Sequence, residues 1–269
     1  MSKPRVLVSG ATGFLGPSVV AALQNVAKVI TLARKHADVC ADLASPGATA
    51  AAVAAAAPDY VLHLAAMARM IDCERDPAMA QRLNADAPGE IAVGFGPRFV
   101  LVSTDLVFDG CRAPYAPLDL PMPLSEYGMS KAAGERQVLA AGGRVVRLPL
   151  LFGRDAKGRG ATCMIRAAIE QGQPVTLFTN EYRTPLHVVD AAAALRQELF
   201  AERGPRIVHL AGPERLSRWE LGNLLCARHG LPRSLLVPVE SQASNRPRDV
   251  SLVGTFRPER DLAAMLADA

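Results

Sequence analysis

The segment RVLVSGATGFLG, Arg5 to Gly16, decides how the rest of the chain is read. Arg5 to Ser9 is a short apolar run ending at a glycine, as a buried parallel strand does. Phe14 to Asn25 follows with apolar residues at helical spacing. At the junction stand Gly10, Gly13 and Gly16, with Thr12, Phe14 and Leu15 among them. A turn between a first strand and a first helix needs glycine for three reasons: the backbone bends sharply, it approaches a pyrophosphate closely, and the helix lies tight on the sheet. The helix start then offers unpaired N–H groups and a positive dipole end to phosphate. An ordinary tight turn also accepts glycines, so it is the position on the strand–helix junction that carries the nucleotide reading.

Outward from this turn the pattern alternates. Val26–Leu32, Tyr60–Leu64, Phe99–Val102 and Val145–Leu148 read as strands, and Thr49–Ala57, Pro77–Val93 and Glu126–Ala140 as helices. Strand and helix in alternation predict a doubly wound parallel sheet with right-handed crossovers, an α/β fold of Rossmann type. After Leu150 the rhythm loosens. Gly153–Gly160 reads as a loop, and helices at Thr162–Gln171, Val188–Ala201 and Ser217–His229 are separated by strands at Val175–Phe178, Ile207–Leu210 and Leu235–Val237. The division is a cofactor domain over residues 1–150 and a smaller C-terminal α/β substrate-binding region over residues 151–269, with an interleaved boundary.

Half of the 269 residues are hydrophobic and 21% are charged, which excludes a disordered chain. Aromatics make up 5%, with Trp219 the single tryptophan, which argues against a stacking platform for single strands. The net charge of +4 is spread over scattered basic residues, so no nucleic-acid partner is expected. The five cysteines are odd in number and form no CxxC pair, so neither a disulfide framework nor a metal site is expected. The alanine-rich stretch Ala48–Ala57 is too short and too weakly apolar to span a bilayer, so no membrane partner is expected either. A strand beginning at Arg5 leaves no room for a signal peptide, which points to a cytoplasmic enzyme.

At the end of the second strand, where an acid would hold an NAD ribose, the chain has Arg34 and Lys35 with no acid nearby. Cations there match the 2′-phosphate, so NADP(H) is expected over NAD(H). Asp42, followed by Leu43, is placed to reach the adenine edge, or else starts a helix as its N-cap. Tyr127 and Lys131 are four apart and share a face of the helix at Glu126–Ala140. A phenol near its ordinary pKa of ~10 is a weak acid–base group at neutral pH, and an adjacent cation stabilises its phenolate. Thr104 ends a sheet strand, where open α/β sheets place ligands, and its hydroxyl can donate to a carbonyl oxygen. Thr104, Tyr127 and Lys131 are therefore the catalytic candidates.

These segments together resemble the extended short-chain dehydrogenase/reductases. The motifs are GATGFLG (Gly10–Gly16), HLAA (His63–Ala66), Asn84, VSTDLVFDG (Val102–Gly110), EYGMSKAAGE (Glu126–Glu135) and RLPLLFG (Arg147–Gly153). The resemblance continues through RTPLHVVDAA (Arg183–Ala192), HLAGPERLSRWEL (His209–Leu221) and NRPRDVSL (Asn245–Leu252). The branch it is most similar to is the dTDP-4-dehydrorhamnose reductase group, which also contains the regulatory β subunit of methionine adenosyltransferase. The resemblance implies an NADPH-dependent reductase of a keto group on a nucleotide-linked deoxysugar. It implies cofactor contacts at Gly13, Phe14, Leu15, Asp42, Leu43, Ala65, Ala66, Met67, Tyr127 and Lys131. It implies substrate contacts at Thr104 and Asp105, with Tyr127 as proton donor. Arg246 stands in an Arg-Pro element that in such enzymes lies near a nucleotide diphosphate, although a surface salt bridge is the competing reading. A nucleotide sugar is the expected partner, and a homodimer the assembly to test.

Two departures bear on the substrate. Leu106 stands where the reductases have tyrosine, and Leu150 where they have a tryptophan. They keep open a non-catalytic NADP-binding regulatory subunit, and an epimerase of nucleotide sugars is a further alternative. His63 reads as a packed core histidine, His187 and Asp190 as a helix cap, and Trp219 as packing for the helix it begins.

Overall fold

The computed structural model describes residues 2–201 and 203–269. The first part runs β1 (Arg5–Ser9), α1 (Gly16–Leu23), β2 (Lys28–Ala33), β3 (Val39–Cys40), α2 (Ala48–Ala56) and β4 (Tyr60–His63). It continues with α3 (Met70–Arg75), α4 (Pro77–Gln81), α5 (Ala87–Ala92), β5 (Phe99–Thr104), α6 (Glu126–Ala140) and β6 (Arg144–Leu148). The second part contains β7 (Leu151–Phe152), α7 (Ala161–Glu170), β8 (Val175–Phe178), β9 (Tyr182–Arg183), β10 (Leu186–His187) and α8 (Val188–Leu199). It ends with β11 (Ile207–His209), β12 (Leu216–Ser217), α9 (Arg218–His229), β13 (Leu236–Val239) and α10 (Leu262–Ala267).

Seven strands form one parallel sheet in the order β11-β6-β5-β4-β1-β2-β3, which is the doubly wound α/β fold that the alternation predicts. Period-two alternation sorts its side chains. Val6, Val8, Leu62, Val100 and Val146 join the core that also holds residues of α1 and α8. Leu7, Val61, Leu101 and Val145 face the other way, into the core shared with α2, α5 and α6. Each such fully buried Val or Leu contributes about 1.5–3 kcal/mol. The chain goes from β1 outward to β2 and β3, then returns to place β4 on the other flank of β1. That reversal opens a crevice at the C-terminal ends of β1 and β4, the place where such sheets bind ligands.

The helix read as Pro77–Val93 is interrupted. A π-helical turn at Arg82–Asp86 separates α4 from α5, and Pro88, which has no N–H to give, stands in the first turn of α5. The turn places Asn84, fully buried, at the site described below. The first helix is shorter than Phe14–Asn25 because Gly10–Leu15 is spent on the turn; Leu15 precedes it without a side-chain cap, and Pro17 stands at its start. A third apolar cluster around Phe108, Tyr115, Val250 and Leu252 lies under the later loops. Among the described residues no helix is long and apolar enough to cross a membrane.

Candidate active site

The glycine turn is built by close backbone approach. Gly10 has φ 67°, and a Cβ there would stand 2.7 Å from the Ala65 nitrogen in the loop after β4. A Cβ on Gly16 would stand 2.2 Å from the Ala11 carbonyl oxygen, so α1 starts directly on the turn. Ser9 Oγ fastens the two loops together by accepting the N–H groups of Leu64 (3.1 Å) and Ala65 (3.2 Å). A Cβ on Gly13 would meet only the carbonyl of Gly10, leaving the outer side of the turn free of side chains. That cradle fits a dinucleotide, because phosphate can approach the backbone there without displacing anything.

Other cofactor candidates surround it. Phe14 is half-buried, with Leu15 beneath it. Arg34 and Lys35 are exposed just beyond β2. An acid does follow them, contrary to the sequence reading: Asp38 lies on the same loop. Its carboxylate accepts from the Thr31 N–H (2.9 Å) and hydroxyl (2.7 Å), which also lower its pKa, so it is directed onto β2. Asp42 is exposed and accepts the Ala44 N–H at 3.1 Å, while Leu43 is buried. Asp42 caps no helix, because α2 starts behind Gly47. Ala65, Ala66 and Met67 form the loop after β4, held by Asn84. The Asn84 side chain accepts the Met67 N–H (2.8 Å) and donates to the Met67 carbonyl (3.1 Å) and Ser130 Oγ (3.0 Å). Sequence reasoning missed Arg159, which donates to the Thr12 carbonyl (2.8 Å) while Asp155 holds its other nitrogens. The loop read at Gly153–Gly160 thus straps the glycine turn, with Gly160 against the Phe14 ring.

Thr104 ends β5; its hydroxyl donates to Asp105 Oδ1 (3.1 Å) and accepts the Leu106 N–H (3.2 Å). Helix α6 starts behind Ser125, whose Oγ accepts the Gly128 N–H at 3.2 Å. A Cβ on Gly128 would stand 2.3 Å from the Leu106 carbonyl oxygen, so the first turn of α6 sits on the turn after Thr104. This brings the Tyr127 phenol beside Thr104. One helical turn later Lys131 is 2% exposed and donates to the Val102 carbonyl at 2.8 Å, so the pair is no solvated surface pair. Burial pulls Lys131 down to about 8, with Glu135 opposing. Glu135 is itself pinned by Arg147 and by Ser103.

The Tyr127 phenol departs from the sequence expectation. It is pushed up to about 12, first by burial and then by the Asp105 charge, while Thr104 and Arg183 pull it back. Lys131, with its ammonium turned to the β5 backbone, is not among the groups that move it.

Arg183 acts on the phenol, and further charged groups follow it. Arg183 on β9 donates to Asp105 Oδ1 at 2.6 Å. Asp105 is 1% exposed and its Oδ2 has no hydrogen-bond partner; burial raises its carboxyl despite the pull of Arg183 and Thr104. Arg246 is held by both oxygens of Glu181 (2.5 and 2.8 Å). Its partner is buried, so this is neither a loose surface bridge nor an unpaired cation. Strand β12 pairs antiparallel with β9, setting Leu216 opposite Arg183 and Ser217 opposite Tyr182. Ser217 caps α9 in a capping box with Glu220, and Arg218 begins the helix beside Arg183, Glu181 and Arg246. Sequence reading singled out none of Arg183, Glu181 and Arg218, although RTPLHV and SRWEL carry two of them.

The blander readings have their places. His63 is buried, stacked 5.9 Å from Phe99, and depressed by burial to about 3. His187 caps α8, and Asp190 holds Arg260. Leu150 packs against the main core, as does Trp219. Among the described residues no cluster of His, Cys, Asp or Glu is arranged to hold a metal ion.

Comparison with known proteins gives three findings of sequence and one of shape. The family described as RmlD substrate binding domain matches residues 4–255. Methionine adenosyltransferase 2 subunit beta of Danio rerio is 31% identical over 268 residues, covering 92% of this chain and 82% of that protein. A probable dTDP-4,6-dihydroxy-2-methyloxan-3-one 4-ketoreductase of Streptomyces antibioticus is 36% identical over 196 residues, covering 70% of this chain and 64% of that protein. The crystal structure of dTDP-4-dehydrorhamnose reductase from Bacillus anthracis in complex with NADP matches with a TM-score of 0.87. At 21% identity, over 98% of this chain and 97% of that one, that match shows the shared fold.

Proposed function

This chain belongs to the RmlD substrate-binding family, and we propose that within it the protein is an NADPH-dependent reductase of a keto group on a nucleotide-linked deoxysugar. One observation carries the reading: Thr104, Tyr127 and Lys131 meet at the C-terminal end of the sheet, between an open glycine cradle and the buried Asp105–Arg183 pair. When bound, NADPH supplies the hydride that the carbonyl carbon accepts. Tyr127 gives its phenolic proton to the keto oxygen, and its raised pKa keeps that proton in place throughout neutral pH. Thr104 orients the same oxygen through its hydroxyl. Lys131 holds the ribose next to the nicotinamide and presents a positive charge beneath the site.

The turn formed by Gly10, Thr12, Gly13, Phe14, Leu15 and Gly16 receives the pyrophosphate. Arg34 and Lys35 receive the 2′-phosphate, Asp42 and Leu43 the adenine edge, and Ala65, Ala66 and Met67 the adjoining ribose. Asp105 and Arg246 belong to the substrate side. A division near residue 150, a homodimer and a cytoplasmic location are parts of the same proposal.

The test follows NADPH absorbance against a panel of nucleotide-linked 4-ketosugars. Oxidation with one of them is the expected result, and Tyr127→Phe lowers turnover by about 10²–10⁴-fold while leaving NADPH affinity in place. Turnover that survives the substitution removes Tyr127 as the acid. A second reading, a cofactor-binding subunit without turnover, is favoured by the likeness to methionine adenosyltransferase 2 subunit beta over 92% of the chain. A silent panel, together with stoichiometric recovery of a methionine adenosyltransferase, would put that reading first.

A further inference from the structure

Ser103, Glu135, Arg147 and His209 take no part in the chemistry proposed above, yet all four are buried and they meet at one place. Parallel register sets Ser103 on β5 beside Arg147 on β6, and Arg147 beside His209 on β11. The three therefore stand abreast at the C-terminal end of the sheet. By the period-two rule they share a face with Leu101 and Val145, the face that α6 covers. Into that row α6 sends Glu135, one helical turn after Lys131 and two after Tyr127. Its carboxylate is fully occupied. Oε1 accepts the Ser103 hydroxyl at 2.5 Å and Arg147 Nε at 3.0 Å, and Oε2 accepts Arg147 Nη2 at 2.7 Å. Glu135 is 2% exposed and Arg147 1%.

Arg147 is fixed in turn from behind. Its Nη1 donates to the Pro117 carbonyl at 3.1 Å and to His209 Nε2 at 3.3 Å. A guanidinium can only donate, so Nε2 carries no proton. The His209 proton is then on Nδ1, which faces the Tyr115 carbonyl at 3.2 Å. The ring is neutral, and burial with Arg147 beside it holds it down to about 4. The row thus carries one carboxylate and one guanidinium, and neither is free to turn. A buried pair of this kind does no more for stability than apolar packing of similar volume. What it adds is a charge in a fixed place.

That place is behind Lys131. The ammonium donates to the Val102 carbonyl at 2.8 Å, so adjacent residues of β5 take adjacent turns of α6: Val102 takes Lys131, and Ser103 takes Glu135. Lys131 is flanked on its own helix by Tyr127 and Glu135. From β4 it is faced by His63, which is pushed down to about 3 and neutral, and the π-helical turn packed on α6 contributes Asn84, which has no charge. Glu135 is the carboxylate of this group, and it opposes the burial that draws Lys131 down. We propose that Glu135 is a positioning residue that acts through Lys131. Clamped by Ser103 and Arg147, its carboxylate presents a fixed negative charge one helical turn behind the ammonium and keeps it a cation beneath the bound cofactor. The effect on turnover rests on the reductase reading above, whereas the effect on Lys131 does not.

The test reads Lys131 directly, in the full chain and without substrate. The protein has five lysines, and Lys3, Lys28, Lys35 and Lys157 are all exposed. With the lysines isotopically labelled at Cε, the Lys131 resonance is the one that disappears in Lys131→Arg. Its NMR titration in native protein has a midpoint at about 8. Glu135→Gln keeps the size of the side chain, removes its charge and moves the midpoint down by about one pH unit. Glu135→Asp keeps the charge and restores most of the native midpoint. Because Glu135→Gln strands Arg147 in the interior and melts at a lower temperature, it is paired with Glu135→Gln/Arg147→Gln, in which no charge is stranded. There the midpoint falls as well, by less. Where a nucleotide-linked ketosugar is turned over, the loss in kcat for Glu135→Gln is about tenfold larger at pH 9 than at pH 6.

An unchanged midpoint in the Gln variants overturns the proposal. So does a midpoint in Glu135→Asp as low as in Glu135→Gln, because packing rather than charge is then the cause. If neither Gln variant folds, the pair is structural and the proposal is likewise overturned. A lowered midpoint without NADPH oxidation on any ketosugar sinks the reductase reading and leaves this one standing. Oxidation by Glu135→Gln with a native pH profile does the reverse.

Discussion

At the glycine turn, contact is made by backbone: Gly10 lies on Ala65 and Gly16 on Ala11, both closer than any side chain would allow. Around Asp105 it is made by the ends of long charged side chains. Arg183 reaches Asp105 from β9, and Arg246 reaches Glu181 from the loop before Pro247. The first arrangement needs residues adjacent in sequence and tolerates almost no added atom. The second joins residues as far apart as Asp105 and Arg183, and depends on charge balance in a dry place. On the proposed reading, the cradle for a constant cofactor is cut into the main chain, while the part assigned to a variable substrate is carried on side chains that substitution can change.

The sharpest way to break this contrast is Arg183→Met. It strands the Asp105 carboxylate, 1% exposed, without its cation, and costs about 3–5 kcal/mol of stability in urea unfolding. NADPH affinity stays in place, and adding Asp105→Asn recovers part of the loss. Full stability in the single variant would mean that the pair has no structural role. On the backbone side, Gly16→Ala forces a methyl against the Ala11 carbonyl and costs about 1–3 kcal/mol. Here NADPH affinity falls together with the melting temperature, and an unaffected affinity would separate the turn from the cofactor.

Between the two regions lies Lys131, whose ammonium is present below a pKa of about 8 and is lost above it. Turnover should therefore fall by about tenfold per pH unit above pH 8, and Lys131→Arg should move that limb beyond pH 10. Stability runs in the opposite direction. The unfolded lysine keeps its proton up to the ordinary value of 10.5 while the folded one has lost it, so stability rises with pH from about 8. From pH 10 upward Tyr127 reverses the trend, because the unfolded phenol ionises there and the folded one waits until about 12. Urea titrations at pH 7, 9 and 11 distinguish these limbs. The smallest effect is expected at Arg34, which is exposed. Arg34→Ala lowers the preference for NADPH over NADH by about fivefold, less at high salt, measured by paired fluorescence titrations.

The contrast also explains which features could be read from sequence. The strand Arg5–Ser9 and the glycines after it are contiguous, so their spacing states the geometry, and Tyr127 and Lys131 announce themselves by one helical turn. Alternating apolar runs announced six of the seven sheet strands, since burial on both faces leaves little else for such runs to be. The π-helical turn at Arg82–Asp86 was not legible, because the apolar spacing of Pro77–Val93 suits an unbroken helix and only the tertiary demand on Asn84 breaks it. Nor was the direction of the Tyr127 shift. A cation four residues away promises a lower pKa, but Lys131 points to Val102, and burial with Asp105 decides the sign. The grouping of Arg183 with Arg218 depends on the two-residue pairing of β9 with β12, which is too short to leave a periodic trace.

The edge strand β11 has a consequence for how the protein is made. It pairs with β6 from beyond the nominal boundary at residue 150, with Ile207 opposite Val145 and the Val145 N–H donating to the Arg206 carbonyl at 2.8 Å. During synthesis the glycine turn, Tyr127 and Lys131 all emerge before the strand that closes the sheet. In that interval β6 offers an apolar edge with unpaired donors and acceptors, which is a template for a neighbouring nascent chain. A fragment ending at residue 150 would contain the Tyr–Lys pair and every residue assigned to the cofactor, and would remain fixed in that vulnerable interval, self-associating through β6.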